Sequence, residues 1–490
     1  MAFIDSTVVN VALPAIQASF HATVVDVQWV VESYGLFLGA LILVGGSLGD
    51  LFGRRLAFVV GVAIFAVASA ACGAAASIHQ LIAARSIQGI GAALLVPGSL
   101  AIISTAFDEK SRGQAIGTWS GFTAITSAIG PVLGGWLVEH ASWRWVFFIN
   151  LPVAAAVIAI SVWCIPESRN DTGSGIDWVG ALLATAGLGG LVVGFMESVN
   201  ASWRSPVVAG GLMLGLACLI ALVVVERNVD APMLPLSLFS SRSFSGTNLL
   251  TLFLYAAIGV FFFLFPLDLI QVQRYSATAA GAATLPLIFL MFFLSRWSGG
   301  LVARYGPRVP LIAGPLIAAL GFALFAKPSV GESYWKTFFP AVIILGFGMA
   351  VTVAPLTTVV MNSVSQKRVG AASGINNAVA RVAGVLAIAI LGIVMVKVFG
   401  SELNRRLDHL SLSPSTQQQL REGEIRLAGL QAPAGLEPEV QRTIENFIEL
   451  AFVSGFRVVM LICSALSLAS AGVASVMIGT SRDAGPVKTP

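Results

Sequence analysis

Four ionisable side chains interrupt stretches that are otherwise apolar or small. Asp5 lies in IDSTVVNVALP (4–14). Arg85 lies midway through LIAARSIQGIGAALLVPGS (81–99). Glu32 stands between Trp29 and Tyr34, and Arg381 interrupts the apolar run 374–399. If these runs cross a membrane, a charge at the bilayer centre costs about 2.5–3.5 kcal/mol even on the lenient insertion scale. Each must therefore face a partner, a cavity or water. Asp5 can bind a proton, and Arg85 is its natural partner; a structural ion pair locking two helices is the plainer alternative. Glu32 could be a second proton site, a site for a cationic substrate, or a wet residue near the outer surface. With Tyr34 and Arg381 it is a candidate for the substrate cavity. Arg381 could attract an anionic group or pair with an acid. Asp268, near the end of its span, takes the plain reading, and Arg296 can snorkel to the rim.

Two further segments combine glycine with function-bearing residues. GGSLGDLFGRR (45–55) places Asp50 just before Gly53, Arg54 and Arg55, with Gly46 one turn earlier. A carboxylate and two guanidiniums at a membrane edge can form a charged latch between helices. AIGPVLGGW (128–136) carries Gly130, Pro131, Gly134 and Gly135, which strip side chains from one helix face, as close helix approach requires.

Other chemistries lack their residues. Cys72, Cys164, Cys218 and Cys463 sit in apolar runs without paired spacing, which argues against a disulfide framework or a zinc site. The four His are far apart and make no i, i+4 ligand pair. There is no Gly-Lys dipeptide, so no Walker A loop. A membrane-embedded enzyme would need paired His or a nucleophile elbow, and neither is present. The expectation is a non-enzyme with no metal and no organic cofactor.

The elements that must position these residues are helices in a bilayer. The 490 residues are 57% hydrophobic and only 11% charged, with a mean hydropathy of +0.88; an ordinary soluble domain is about 25% charged. Soluble enzymes, disordered chains and nucleic-acid binders are excluded. A span needs about 20 apolar residues. The candidates are 29–51, 56–77, 80–105, 113–138, 144–165, 176–196, 205–225, 245–270, 278–303, 308–327, 335–357, 374–399 and 452–479, and the short opening stretch 1–18 brings the count to fourteen. With the N-terminus inside, one side holds thirteen Lys and Arg in its short loops and the other five. That bias predicts both termini in the cytoplasm. The polar stretch 400–451, amphipathic at both ends, is expected outside as a solvated cap. The motif around Asp5 normally closes a full helix, which raises the expectation that Met1 is internal to a longer first helix.

The chain also repeats itself. Gly46, Gly53 and Arg55 fall on Gly299, Gly306 and Arg308, each shifted by 253 residues, with Ala303 where the first copy has Asp50. SRGQAIG (111–117) resembles KRVGAASG (367–374). Two parallel six-helix repeats with two extra helices between them make a secondary-transporter architecture. The boundaries expected are 1–170 for the first bundle, 171–230 for the linking pair, and 231–490 for the second bundle.

The four segments together resemble the signatures of the drug:proton antiporters of the major facilitator superfamily, in the branch with fourteen spans. The Gly-Asp-x-x-Gly-Arg-Arg loop is highly specific for the superfamily, and Gly-Pro-x-x-Gly-Gly points to antiporters; Thr126 replaces the Gly usual four residues before Gly130. The resemblance implies an all-α membrane protein with the major facilitator fold. It assigns proton coupling to Asp5 and Arg85, the conformational latch to Gly46, Asp50, Gly53, Arg54 and Arg55, and antiport direction to Gly130, Pro131, Gly134 and Gly135. It implies a multi-pass protein of the inner membrane that exchanges protons for lipophilic or amphipathic drugs and works as a monomer. An exporter of one endogenous metabolite is the alternative; a uniporter or symporter of the same fold stands further off. A Phe stripe in a membrane helix faces lipid more often than ligand, and Phe261–Phe265, Phe292 and Phe293 are read that way.

Overall fold

The computed structural model describes residues 1–106, 122, 126, 129–168, 177–201, 203–229, 232, 234–364, 369–410, 412–433 and 436–479. Among them there is no strand. The longer helices follow in order: α1 (Ala2–Phe20), α2 (Val24–Phe52), α3 (Arg54–Ala74), α4 (Ile78–Ala106), α5 (129–140), α6 (Asn150–Cys164), α7 (Trp178–Asn200), α8 (Pro206–Asn228), α9 (Arg242–Leu267), α10 (Leu285–Gly299), α11 (Arg308–Leu324), α12 (Phe338–Asn362), α13 (Val369–Leu407) and α14 (Pro438–Met477), with shorter helical turns between some of them. Among the described residues eleven helical stretches are long and apolar enough to cross a membrane, and α11 is a shorter apolar helix. In a bilayer every backbone polar group must find its partner inside the chain, so helices are the form such sequence takes.

Local signals set the ends. Thr23 and Asp26 form a capping box at the start of α2: the Thr23 hydroxyl accepts from the Asp26 amide, and Asp26 accepts from the Thr23 amide at 2.9 Å. Gly53 separates α2 from α3 with φ +116°, and Gly306 precedes α11 with φ +75°. Both lie in the left-handed region that only glycine enters freely. They are the residues paired by the 253-residue shift, so the repeat seen in sequence is a repeat of backbone conformation.

The repeat extends to what each turn holds. Arg55 donates to the Ile165 carbonyl at the end of α6, at 3.0 Å. Its counterpart Arg308 donates to the Ser475 carbonyl at the end of α14. Each turn thus ties the second and third helices of its half to the end of that half's last helix, where carbonyls lack helical partners.

In the first half α2 and α3 both pack on α4, and α3 also packs on α6. In the second, α9 packs on α13 and α14, α11 on α12 and α14, and α10 on α12. Between the halves α2 runs along α13. α7 and α8 pair through Gly187, Gly190 and Gly194 against Gly211 and Gly215, and α7 leans on both α2 and α13. With hydrocarbon outside, such close approach replaces the hydrophobic effect as the glue.

Two sequence expectations need correction. The polar stretch is shorter than 400–451: α13 continues to Leu407 and α14 begins at Pro438. The apolar-window test ends where charge begins, whereas these helices continue as stalks whose polar faces meet water. Between them sit a short helix (Pro414–Glu422) and a 3-10 segment (Glu424–Gly429). The Phe run on α9 is core rather than lipid-facing. Phe261 and Phe265 are fully buried and stack at 4.8 Å, with Phe322, Phe325 and Phe338 around them. α9 is flanked on most of its circumference by other helices, so a residue there has little lipid to face.

Candidate proton and gating site

The first half converges on Asp5. Its Oδ2 accepts from Arg85 at 2.6 Å; its Oδ1 accepts from Gln88 Nε2 at 2.9 Å and from Asn150 Nδ2 at 3.1 Å. Gln88 and Asn150 both also donate to the Ser69 hydroxyl. Arg85 donates to the Val30 carbonyl at 3.0 Å and to Gln88 Oε1, and its guanidinium lies 4.3 Å over the Tyr34 ring. Asp5 is 0% exposed and Arg85 1%. Helices α1, α4 and α6 therefore meet at one carboxylate, and the network reaches α2 through Arg85 and α3 through Ser69.

A buried ion pair is tolerable only when further hydrogen bonds satisfy its remaining lone pairs and protons. Here both carboxylate oxygens are engaged. The arrangement can hold a charged pair, and it can release tension between helices if the carboxylate is neutralised. Asp5 and Arg85, paired in the sequence reading, are brought together, and Tyr34 joins them. Arg381 comes from the other half: it stands beside Gly39 of α2. Gln88, Ser69 and Asn150 were not singled out in the sequence. The available signal was slight: Gln88 is one turn from Arg85, and Asn150 is the one amide in the run 144–165.

The latch residues have a partner that sequence did not suggest. Glu167 accepts from the amides of Arg55 and Leu56, each at 3.0 Å, and forms an ion pair with the Arg55 guanidinium at 3.6 Å. A carboxylate on the first amides of α3 caps that helix and meets its positive end. The Arg54 amide donates to the Ser168 carbonyl. Gly46 lies near Pro97 of α4. The side chains of Asp50 and Arg296 lie outside the described residues.

Gly130 and Gly134 face α1: a Cβ on Gly130 would meet the Thr7 hydroxyl, and one on Gly134 would meet Val8. Gly135 faces the other half, where a Cβ would stand 2.4 Å from the Ala277 carbonyl oxygen. The Pro131 carbonyl would in turn meet a Cβ on Gly281. One short helix thus presses on α1 and on the second half. Beside it Glu139 accepts from the amide and hydroxyl of Thr278, at 2.8 and 2.7 Å.

The contacts of Gly135, Gly281 and Glu139 with the other half lie toward one end of the molecule, the cap end, where α1 meets α2 and α13 meets α14. There Gln17 donates to the Arg426 carbonyl and accepts from Gln271, and Gln28 donates to the Ile388 carbonyl. A cavity of about 510 Å³ lies between the end of α1, the end of α9 and the 3-10 segment; Gln17, His21, Gln271, Arg274, Arg426 and Glu445 contribute polar groups. A second, wholly apolar cleft of about 520 Å³ lies between α5 and α10, with Trp136, Phe289, Phe292 and Phe293 on its walls. Phe293 is 72% exposed there. Glu32 is fully buried and neither oxygen has a hydrogen-bond partner. Asp268, where α9 gives way to a π turn, is also buried, but Gln273 stands beside its carboxylate.

The chain is similar to known proteins over most of its length. The family model described as Major Facilitator Superfamily matches residues 1–180 and 165–388. The chain is 33% identical over 477 residues to the multidrug resistance protein Stp of Mycobacterium tuberculosis, covering 95% of this chain and 87% of that protein. It is 31% identical to the tetracenomycin C resistance and export protein of Streptomyces glaucescens, covering 97% and 88%. It is 35% identical to the puromycin resistance protein pur8 of Streptomyces alboniger, covering 80% and 78%. Among solved structures, a bacterial homologue of the human lysosomal transporter Spinster superposes with a TM-score of 0.65 at 17% identity, over 96% of this chain and 94% of that one; that likeness concerns the fold. The chain is an all-helical, multi-pass membrane protein that belongs to the Major Facilitator Superfamily.

Proposed function

We propose that this protein exports lipophilic or amphipathic toxic compounds across the cytoplasmic membrane in exchange for protons, by alternating access between two six-helix bundles. The observation that carries the reading is the Asp5–Arg85 pair: a fully buried carboxylate that bonds α1 to α4 and α6, at the centre of a network reaching α2 and α3, and whose neutralisation would loosen these contacts together. The resistance and export names of the relatives support the direction and the substrate class. Asp5 and Arg85 are the coupling pair. Gly46, Asp50, Gly53, Arg54 and Arg55 work as the latch, with Glu167 as an added member. Gly130, Pro131, Gly134 and Gly135 seal the cap end, and Tyr34 and Arg381 border the substrate path.

The cap end faces away from the cytoplasm in this reading. Arg55, Arg242 and Arg308 hold carbonyls at the closing ends of α6 and α14, at the opposite end, which supports that orientation by the positive-inside rule. The bundles correspond to 1–170 and 231–490, with 171–230 as the linking pair. The protein acts as a monomer and needs no cofactor.

A second reading, export of one particular compound, is favoured by a specific observation. Several relatives are named for a single antibiotic: tetracenomycin C, puromycin, methylenomycin A. Everted membrane vesicles with an imposed pH gradient test both. Accumulation of ethidium and of several unrelated antibiotics, abolished by a protonophore, is expected. Accumulation of one compound alone selects the narrow exporter. Accumulation that survives the protonophore contradicts proton coupling.

A further inference from the structure

Glu32 differs from Asp5 in every respect but burial. Asp5 has three donors; Glu32 has none, and both of its oxygens are out of contact with water. Its place in the fold gives that contrast meaning. On α2, Gln28 faces the Ile388 carbonyl and Gly392, Gly35 faces Val385, and Gly39 faces Arg381, all on α13. Residues 28, 32, 35 and 39 lie on one helix face, since three- and four-residue steps do. Glu32 therefore belongs to the seam where the two halves meet, and α7 leans on the same two helices, meeting α2 where Gly189 faces Leu36. It is eight residues from the start of α2, about 12 Å from the cap end at 1.5 Å per residue.

A carboxylate ion buried without a hydrogen bond is strongly disfavoured, and the group neutralises instead. As an acid it also becomes a donor. One turn away, Gln28 Oε1 is a buried acceptor that has no donor. The ionisable groups on the surrounding elements do not supply a counter-charge. Asp26 is held by Thr23, Arg85 is engaged by Asp5 beneath Tyr34, and Arg381 stands two turns along at Gly39. Lys397 of α13 is exposed, and Glu197 of α7 carries the same sign as Glu32.

We propose that Glu32 is a second proton-binding site, built into the seam between the halves: it holds a proton while α2 and α13 are packed and releases it when the cap end opens. The proton is taken up as the seam closes and the carboxylate is left in water as it parts, so closure consumes one proton. The inference extends the proton-driven reading above, because acid on the cap side would then favour the closed seam.

The test is a distance measurement that needs no substrate, so it can fail while proton-driven transport stands, and the reverse. Spin labels go on His79→Cys and Trp335→Cys, exposed at the cap end of the two halves, with Cys164→Ser and Cys218→Ser; Cys72 and Cys463 are buried. In lipid nanodiscs, the ratio of open to closed distances should rise with pH between 5 and 9, approaching about tenfold per unit for one linked proton. Glu32→Gln should stay closed at every pH, and Glu32→Met provides the same neutral test if the amide fails to fold. Asp5→Asn should keep the shift. A wild-type distribution that ignores pH, or a Glu32→Gln distribution that titrates like wild type, overturns the proposal.

Discussion

Replacing Arg85 by Gln removes the group that bonds Asp5 at 2.6 Å and the Val30 carbonyl at 3.0 Å and covers the Tyr34 ring. Gln88 and Asn150 already donate to Asp5 in the wild type, so they offer nothing new. Removing one partner of a buried pair costs about 3–5 kcal/mol, and about 4 is expected here. Asp5→Asn costs somewhat less, about 3 kcal/mol, because Arg85 keeps Val30, Gln88 Oε1 and Tyr34. If the two effects were independent, the double variant would lose about 7 kcal/mol. It leaves no unpaired charge, however, and the loss should be nearer 2 kcal/mol. Cys72 and Cys463 are buried, so a fluorogenic thiol reagent on a Cys164→Ser, Cys218→Ser background reports unfolding in detergent. At about 2 °C per kcal/mol for a large chain, each single variant should melt roughly 6–8 °C lower and the double roughly 4 °C lower. A double variant that melts some 14 °C lower, the sum of the singles, would show that the two residues do not act as a pair.

Further outcomes follow from the same contacts. Gly135→Val should force the Ala277 backbone away at a cost of about 1–3 kcal/mol, raising maleimide labelling of Thr278→Cys from the cap side roughly tenfold; unchanged labelling would mean the seal does not depend on that approach. Glu167→Gln should cost about 1 kcal/mol as a weakened helix cap and slow transport without abolishing it, read from melting and from vesicle uptake. The Glu424 carboxyl is pushed above its ordinary value by burial, with the Asn404 hydrogen bond and the Arg421 charge pulling the other way. The docked 3-10 segment thus binds that proton more tightly than an undocked one. Docking is strongest below the ordinary carboxyl value and weakens as pH rises through the raised one. Protection of the Arg426 and Leu430 amides, which bond Gly423 and Leu427, should be greater at pH 5 than at pH 7 after correction for intrinsic exchange.

What sequence revealed and concealed has a physical pattern. Asp5 and Arg85 stood out because charge inside apolar sequence is costly and must be answered by something. Gln88, Ser69 and Asn150 did not, because a neutral polar residue in a membrane helix is common; only the convergence of α3, α4 and α6 joins these three to one another and, through Gln88 and Asn150, to Asp5. Glu167 was invisible for a different reason. It lies 112 residues from Arg55, and a lone acid in a loop reads as solvated. The repeat was legible through Gly53 and Gly306 because a left-handed turn accepts few other residues. The helical stalks of α13 and α14 were not, since hydropathy marks where lipid ends rather than where a helix does. Glu32 was recognised as ambiguous, and its register with Gln28, Gly35 and Gly39 on the α13 face could be read only once the halves were seen together.

The central claim is that Asp5 couples the proton to the transported compound. Reconstituted vesicles separate coupling from carriage. Asp5→Asn should still exchange labelled for unlabelled ethidium down its gradient, yet fail to accumulate it when a pH gradient is imposed. An Asp5→Asn protein that accumulates ethidium to the wild-type level under the same gradient would contradict the account.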